Sequence, residues 1–419
     1  MNIGIIGLGT VGIGVVKTLR NFPEIVIKKI AVKNINKPRN IDNLDTSILT
    51  DNVAELVNNP EIDTIVEVAG GVDGIFELLV QALKNKKHIV TANKELLAKK
   101  GSELFSLAKE NNVTILYEAA VGGGIPILMP LKTALKANKI TKIAAILNGT
   151  TNYILTKMDE HGADYEDVLK EAQELGYAET DPTGDVKGYD AAYKIAILAS
   201  IAFRKKIDIE KIHKEGITQI TAHDIKNASE LGYKIKLIAL AKEKDGEADV
   251  RVHPMLVPED SMLAKISNVT NAITLKGTPI GEITFTGPGA GELPTASAVV
   301  GDILALNTDM NTDLISDNSH SYCWSENANQ IDISKTKNKY YISLSVSNIP
   351  GVIGTIGTVC GNCGINLSSL MQKGVNEDLT AEVIVITGQT LESNVQQAAD
   401  ILKNEKIVNK INNIIRVMD

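Results

Sequence analysis

Two charged residues, Asp190 and Lys194, stand one helical turn apart in an otherwise apolar stretch. A spacing of four residues puts both side chains on one face of a helix, and the residues that follow are mostly alanine, isoleucine and leucine. If the pair is buried, the lysine can act as a proton donor, because burial and neighbouring charge adjust its pKa. The alternative is an ion pair on the surface, and the spacing does not choose between the two.

A second set of residues suits the binding of a dinucleotide. Gly7, Gly9 and Gly12 enclose Thr10 and Val11 in a G-x-G-x-x-G pattern directly after an apolar segment. In a strand–turn–helix context such glycines make a tight turn and let a pyrophosphate approach the helix N-terminus.

The end of the second predicted strand bears on the choice of cofactor. An acidic residue there would hold the ribose diol of NAD, but the segment 31–34 contains no acid and carries Lys33. Lys33, together with Arg39, could accept a 2′-phosphate, which favours NADP(H) while leaving NAD(H) open. The alternative is that Lys33 is simply a solvated lysine at a strand end.

Three further polar segments follow predicted strands, at residues 91–94, 118–126 and 147–153. In open α/β sheets the carboxyl ends of the strands are where ligands bind. Taken alone, each segment is equally compatible with a turn or a helix cap.

The elements that must position these residues change along the chain. The first third alternates strand and helix patterns, which predicts a parallel sheet covered by helices. The middle mixes helices with longer β-like runs, and the last part follows a β-α-β-β-α-β order typical of ferredoxin-like units. We therefore predict a dinucleotide-binding domain at 1–138 completed by about 287–316, an α+β catalytic and dimerisation domain at 139–286, a polar linker at 317–339, and a self-contained unit at 340–419.

Composition excludes several classes of protein. The formal charge of the 419 residues is −8, which argues against a nucleic-acid or anionic-membrane surface. Three cysteines are too few for a disulfide scaffold, and the C-x-x-C of Cys360 and Cys363 lacks a thioredoxin-type context. The uncharged stretch 340–372 is too rich in glycine and polar residues to span a membrane. With no basic signal-peptide region at its start, the chain is expected to be cytoplasmic.

Six motifs together resemble one enzyme family. They are GLGTVG (7–12), VTANKELLA (90–98), EAAVGGGIP (118–126), LNGTTNYIL (147–155), LGYAETDPTGDVKGYDAAYKIAI (175–197) and GPGAGELPTASAVVGDI (287–303). In this order and at these spacings, residues 1–320 resemble homoserine dehydrogenases. The carboxyl-terminal unit, with SNIPGV at 347–352, resembles an ACT domain, a module that senses small molecules.

The resemblance implies a fold, an activity and residue roles. It implies a Rossmann-type α/β domain, an α+β catalytic domain and a ferredoxin-like ACT domain, with NAD(P)H-dependent interconversion of L-aspartate 4-semialdehyde and L-homoserine on the route to threonine, methionine and isoleucine. Lys194 would be the proton donor, with Asp190 and Lys94 beside it, and Glu179 and Asp185 would join Lys94 and Lys194 in binding substrate. The cofactor would contact the residues Gly7, Gly9, Thr10, Val11, Gly12, Lys33, Lys94, Gly289 and Glu292.

The family resemblance also implies an ion and an effector. A structural Na⁺ would be held by the main-chain carbonyls of Glu118, Val121, Gly123 and Ile125. Threonine is the expected effector of a homodimer or homotetramer, with the turn formed by Asn348, Ile349, Pro350, Gly351 and Val352 as its site. Two other functions stay open: a related semialdehyde or amino-acid dehydrogenase, and a non-catalytic amino-acid sensor.

Overall fold

The computed structural model describes residues 1–311, 326–374 and 380–419. The strands of the amino-terminal region are β1 (Asn2–Ile6), β2 (Val26–Ala31), β3 (Leu49–Thr50), β4 (Thr64–Glu67), β5 (His88–Thr91) and β6 (Ile115–Leu116). Neighbouring strands are parallel and lie in the order β3-β2-β1-β4-β5-β6. This is the doubly wound order of Rossmann folds, and it explains why the central strands are continuously apolar and buried.

Helices cover this sheet. They are α1 (Thr10–Leu19), α2 (Ala54–Val57), α3 (Ile75–Lys84) and α4 (Lys94–Glu110), and a short helix α5 (Leu128–Lys132) follows β6. A late helix, here labelled α11 (Glu292–Asn311), packs against α1: a Cβ atom on Gly14 would lie 2.5 Å from the carbonyl oxygen of Glu292. Only glycine permits so close an approach of the two helices.

The middle of the chain builds a second sheet with its own helices. Its strands are β7 (Lys139–Ile146), β8 (His213–Lys214), β9 (Tyr233–Lys244), β10 (Glu247–Pro258), β11 (Thr270–Thr278) and β12 (Gly281–Pro288), and its helices are α6 (Gly149–His161), α7 (Tyr165–Glu174), α8 (Thr183–Val186), α9 (Tyr189–Phe203) and α10 (Ala222–Glu230). Helix α9 is buried on nearly all sides, as expected of a helix that is hydrophobic all round. None of the helices in the described ranges is long and apolar enough to span a membrane.

The carboxyl-terminal elements follow the β-α-β-β-α-β order that the sequence predicts, with two short added strands. They are β13 (Asn329–Gln330), β14 (Lys337–Ser347), α12 (Val352–Asn362), β15 (Leu367–Lys373), β16 (Thr380–Thr387), β17 (Thr390–Leu391), α13 (Glu392–Leu402) and β18 (Val408–Val417). Cys360 and Cys363 are buried free thiols, and burial raises the pKa of Cys360, which makes it a poor thiolate nucleophile.

One expectation about this region is wrong. The unit is not self-contained, because β18 pairs in parallel with β10 at Met255–Arg416 and Leu256–Val417, so one sheet runs through both regions. The buried Arg251 of β10 also donates hydrogen bonds to Thr336 and Asn338 at 2.9 and 2.7 Å.

The expected linker at 317–339 is only partly described, since 317–325 lie outside the described residues. Its described part is tied down: β13 pairs with β10, a 3₁₀ turn covers Ile333–Lys335, and β14 begins at Lys337. The described part of the predicted linker is therefore a connection held by main-chain hydrogen bonds.

Candidate active site

Helix α9 places Asp190 and Lys194 side by side in the interior. The Nζ of Lys194 donates to Asp190 Oδ2 and to the main-chain oxygen of Leu147, both at 2.7 Å. The side chains of Lys194 and Asp190 are 9% and 11% exposed, so the pair is not a surface ion pair. Leu147 directly follows the end of β7, so this strand end also holds the ammonium group of Lys194.

A second lysine reaches the same carboxylate from the first region. Lys94 is the first residue of α4, shortly after the end of β5, and its Nζ lies 3.1 Å from Asp190 Oδ1. The capping residue Asn93 fixes this helix start, since its Oδ1 accepts from the backbone N–H of Leu96 at 3.1 Å. The side chain of Lys94 is 41% exposed, so the cluster is open on this side.

The pKa values in the cluster diverge for identifiable reasons. Burial would raise the pKa of Asp190, but Lys194 and Lys94 outweigh it and hold that pKa below its usual range. Burial lowers the pKa of Lys194 more than Asp190 raises it. Lys94, which is less desolvated, has a raised pKa because of the charge of Asp190. The two ammonium groups therefore differ in how readily they release a proton.

Asp185 lies beside this cluster and is joined to Asp190 by a residue that sequence reasoning did not single out. The Nδ2 of Asn148 donates to Asp185 Oδ1 at 2.7 Å and to Asp190 Oδ2 at 2.9 Å. Its Oδ1 accepts from the backbone of Thr151 at the start of α6. Burial and then the negative charge of Asp190 raise the pKa of Asp185. The signal for Asn148 was its capping position directly after a strand.

The structure does not bring Glu179 into the cluster. It lies in the exposed loop between α7 and α8, where its main-chain oxygen accepts from Gln173 Nε2 at 3.1 Å. Its carboxylate makes no hydrogen bond or ion pair to the described residues of the cluster.

The glycine-rich turn has the geometry that close approach demands. Gly7 has φ of +101°, which disfavours other residues, and a Cβ on Gly12 would lie 2.3 Å from the oxygen of Gly7. A Cβ on Gly9 would meet no atom within 4 Å, so this face of the turn is open. Thr10 and Val11 begin α1 there. The turn leaves room for an anion at the helix start.

The neighbouring loop is organised by a carboxylate that sequence reasoning missed. Glu67 is fully buried, and its oxygens accept from Thr91 Oγ1 and from the backbone of Ala69 and Gly70 at 2.6 to 2.9 Å. Ala69 is the residue against which Gly7 packs. A buried acid at the end of an apolar strand was the available signal.

Lys33 is exposed just beyond β2. Arg39 binds main-chain oxygens of its own loop, those of Asn34, Ile35 and Lys37, at 2.7 to 3.2 Å, while its buried Nε has no hydrogen-bond partner. Thus Arg39 shapes the loop that follows Lys33.

The loop after β6 is held from several sides. The carboxylate of Glu118 accepts from the backbone N–H groups of Ile127, Leu128 and Met129 at 2.5 to 2.8 Å. Gly123 packs against Gly289, since a Cβ there would lie 2.5 Å from the oxygen of Gly289. The carbonyls of the buried residues Val121, Gly123 and Ile125 accept no hydrogen bond from the described part of the chain.

The loop at 287–292 packs against the loop that follows β6 and against α1. Glu292 pairs with Lys17 of α1 at 2.8 Å. Gly289 lies directly on Asn271, a fully buried residue whose amide has no hydrogen-bond partner. Glu292 is thereby fixed against α1, the helix that follows the glycine-rich turn, and Gly289 is fixed against Asn271 and Gly123.

The turn before α12 lies far along the chain from these residues. Gly351 has φ of +96° and precedes the helix, while Asn348 Oδ1 accepts from Gln372 Nε2 at 3.1 Å. Ile349 is exposed, Pro350 follows it, and Val352 is buried as the first helical residue.

Comparison with known proteins points to one family. The homoserine dehydrogenase family model matches residues 126–304, and the homoserine dehydrogenase NAD-binding domain model matches residues 7–118. A homoserine dehydrogenase of Synechocystis sp. is 41% identical, with 100% of this chain and 99% of that protein covered. The crystal structure of a homoserine dehydrogenase from Thiobacillus denitrificans has 38% identity and a TM-score of 0.94, covering 100% of this chain and 98% of that one.

A hyperthermophilic archaeal homoserine dehydrogenase, solved in complex with NADPH, is also similar. It has 29% identity and a TM-score of 0.63, and the match covers 74% of this chain and 98% of that chain.

Proposed function

The chain belongs to the homoserine dehydrogenase family, an oxidoreductase family acting on a CH–OH group, and from this premise we propose that Lys194 is its proton donor and acceptor. The reaction interconverts L-aspartate 4-semialdehyde and L-homoserine, and it needs positive charge and a proton at the reacting oxygen. The observation that carries the proposal is the buried contact of Lys194 with Asp190 and Leu147.

Each residue of the cluster has its own role in the proposed reaction. Bound nicotinamide would supply or accept the hydride at the carbinol carbon. Lys194 would give its proton to the aldehyde oxygen during reduction and take it back during oxidation. Its lowered pKa favours this exchange, because proton transfer is most efficient when the pKa of the donor lies closer to the working pH. Asp190 orients both ammonium groups, and Lys94 adds positive charge at the open side.

Two acids are proposed to receive the substrate's ammonium group. Asp185 stands beside the cluster, fixed by Asn148, and Glu179 lies on the exposed loop that precedes it. Because this loop is exposed, Glu179 is free to meet a substrate that enters from solvent. The proposal for both is carried by the motif at 175–197 and, for Asp185, by its place next to Asp190.

The test of the activity is direct. Purified protein with NADPH and L-aspartate 4-semialdehyde should show loss of the reduced-nicotinamide absorbance, and homoserine with NADP⁺ should show the reverse. A related dehydrogenase would prefer another semialdehyde, and a sensor without catalysis would show no change in either direction.

For the cofactor, we propose that the turn Gly7–Gly12 holds the pyrophosphate and that NADP(H) is preferred over NAD(H). The open space over Gly9 fits a pyrophosphate. Lys33 stands where an acid would bind the ribose diol, and Lys94, Gly289 and Glu292 would contact the remainder.

We expect Lys33→Asp to reverse this preference, because a carboxylate repels the 2′-phosphate and accepts hydrogen bonds from a diol. The dissociation constants of NADPH and NADH are measured for both proteins, and the NADPH/NADH affinity ratio should fall by about tenfold or more. Wild-type protein that binds NADH as well as NADPH would refute the preference.

We also propose that a structural Na⁺ binds the carbonyls of Glu118, Val121, Gly123 and Ile125. Three of these buried carbonyls lack a hydrogen-bond donor within the described ranges, and carbonyl oxygen is a ligand that hard cations prefer. The ion would stiffen a loop packed on Gly289.

We propose further that the carboxyl-terminal unit is an ACT domain, that threonine inhibits through it, and that the chain forms a homodimer or homotetramer. Support comes from the β-α-β-β-α-β order and from the turn Asn348–Val352. Backbone amides around Gly351 could hold an amino-acid carboxylate.

The continuity of the sheet changes how the effector is tested. Deleting the unit would bare the β10 residues that pair with β18, so a substitution is preferable. Gly351→Ala strains a residue at φ of +96° and should weaken inhibition by millimolar threonine with little effect on basal turnover. Full-length wild-type enzyme indifferent to threonine would contradict the proposal, which leaves assembly or another effector as the role of the unit.

A further inference from the structure

A buried arginine joins the carboxyl-terminal unit to the middle of the chain. Arg416 of β18 donates from Nε and NH2 to the two oxygens of Glu392, at 2.8 and 2.7 Å. Its NH1 donates to Glu215 at 2.9 Å. The arginine side chain is 5% exposed and that of Glu215 is 38% exposed. Glu215 belongs to the short segment 213–217 and not to the carboxyl-terminal unit.

The other side of this segment touches the turn that leads into α9. The backbone N–H of Ile217 donates to the oxygen of Val186 at 2.9 Å. A Cβ on Gly216 would lie 2.0 Å from that same oxygen, so the two main chains are in direct contact. Val186 is the residue after Asp185 and ends α8.

A third side of the segment is fixed to the sheet. His213 and Lys214 form β8, which pairs in parallel with β10, and the backbone N–H of Glu215 donates to the oxygen of Val252 at 2.8 Å. The segment is therefore a short spacer between Arg416 and the turn at 185–188.

Lys194 and Asp190 have anchors that do not involve the segment 213–217. Lys194 is held by the oxygen of Leu147, and Asp190 by Lys94 and Asn148. Asp185 is held by Asn148 on one side and, through Val186, by the spacer on the other. A shift of the spacer should therefore move Asp185 more than it moves Lys194.

We propose that Glu215 is a positioning residue for the substrate pocket, and that its ion pair with Arg416 transmits the placement of the carboxyl-terminal unit to the Asp185 side of that pocket. The inference rests on the proposed role of Asp185 in binding substrate. It assigns the homoserine KM, and not kcat, as the quantity that this contact controls.

The experiment compares variants in the homoserine oxidation assay at saturating NADP⁺. Glu215→Gln removes the charge from the more exposed partner and should raise the homoserine KM by about two- to fivefold, the range for one partly exposed charge pair. Arg416→Lys should act in the same direction, because an ammonium cannot serve both carboxylates in the fork geometry of a guanidinium. Asp185→Asn should raise KM further than either.

A matched control comes from another contact between the same two regions. Glu382 of β16 accepts a hydrogen bond from Asn227 of α10 at 2.9 Å and lies 2.7 Å from His223, and both partners are outside segment 213–217. Glu382→Gln should leave KM at the wild-type value, and melting temperatures report any general loosening of the fold in all four variants.

Each result decides between the possibilities. If KM rises in Glu215→Gln and Arg416→Lys but not in Glu382→Gln, the inference stands. If Asp185→Asn raises KM while Glu215→Gln does not, the inference fails and the role of Asp185 survives. If no variant changes KM, both fail, and equal increases in Glu215→Gln and Glu382→Gln would reduce the contact to ordinary docking of the two regions.

Discussion

Two buried clusters in this protein bring carboxylates and cations together, and they differ in what the cation can do. Around Asp190 the cations are two lysines, one of them buried with a lowered pKa. Around Arg416 the cation is a guanidinium that binds Glu392 through two nitrogens and Glu215 through the third. Burial lowers the pKa of Arg416, but the two carboxylates outweigh it and the net shift is upward.

The difference teaches how to separate a reactive cluster from a structural one. An arginine stays charged in proteins, so Arg416, whose three nitrogens all bind carboxylates, does not exchange a proton. A lysine brought nearer to neutrality by burial can exchange a proton, and the cluster around Asp190 opens to solvent at Lys94. Burial of an ion pair alone therefore does not mark a catalytic site.

The largest effect is expected from a substitution in the cluster around Asp190. Lys194→Ala should lower turnover by about a hundred- to ten-thousand-fold, the usual contribution of a positioned acid, while NADPH binding stays nearly intact. Turnover is measured from nicotinamide absorbance, and cofactor binding by titration.

A second buried lysine supplies the control. Lys236 donates to Asn152 and to the oxygen of Ile266, and burial lowers its pKa to about 8. Lys236→Met removes a comparable lysine outside the cluster, so folded enzyme should keep its turnover. Near-wild-type turnover by Lys194→Ala would make Lys94 the candidate donor.

The second prediction concerns a substitution in the cluster around Arg416. Glu392→Ala leaves the buried Arg416 with one carboxylate, and removal of one partner from a buried pair costs about 3 kcal/mol of the free energy of unfolding. Urea denaturation measures this loss. Turnover at saturating homoserine should stay near the wild-type value, since Glu392 does not contact the cluster around Asp190. Loss of turnover without loss of stability would contradict the contrast between the clusters.

The fold was largely predictable where the pattern is local. The glycine-rich turn and the strands His88–Thr91 and Asn2–Ile6 follow from apolar runs and turn residues. The helix after β5 begins at Lys94, because Asn93 caps it. The pairing of β10 with β18 was not predictable, since the partners lie far apart in the chain and either strand alone reads as an edge.

The candidate site shows the same limit. The spacing of Asp190 and Lys194 identifies a shared helix face, but only the fold decides that the face is buried. Lys94 and Asn148 reach Asp190 from other elements, across separations that no local pattern encodes. Glu179 lies outside the cluster, and only the sequence motif connects it to Asp185.

The third prediction sharpens the comparison through pH, and its effect is the smallest. With Lys194 as the proposed proton donor, the rate of semialdehyde reduction should fall as the pH rises through the lowered pKa of that lysine, below the usual lysine range. The charge of Asp190 raises the pKa of Lys194, and the charge of Lys94 lowers it. Asp190→Asn should therefore move the alkaline limb of the pH–kcat profile to lower pH, and Lys94→Met should move it to higher pH. Lys236 is the control, because burial lowers its pKa to about 8 and it could produce an alkaline limb of its own. Lys236→Met should leave the limb in place. A limb that moves in Lys236→Met, or that moves in the same direction in Asp190→Asn and Lys94→Met, would show that another group controls the proton.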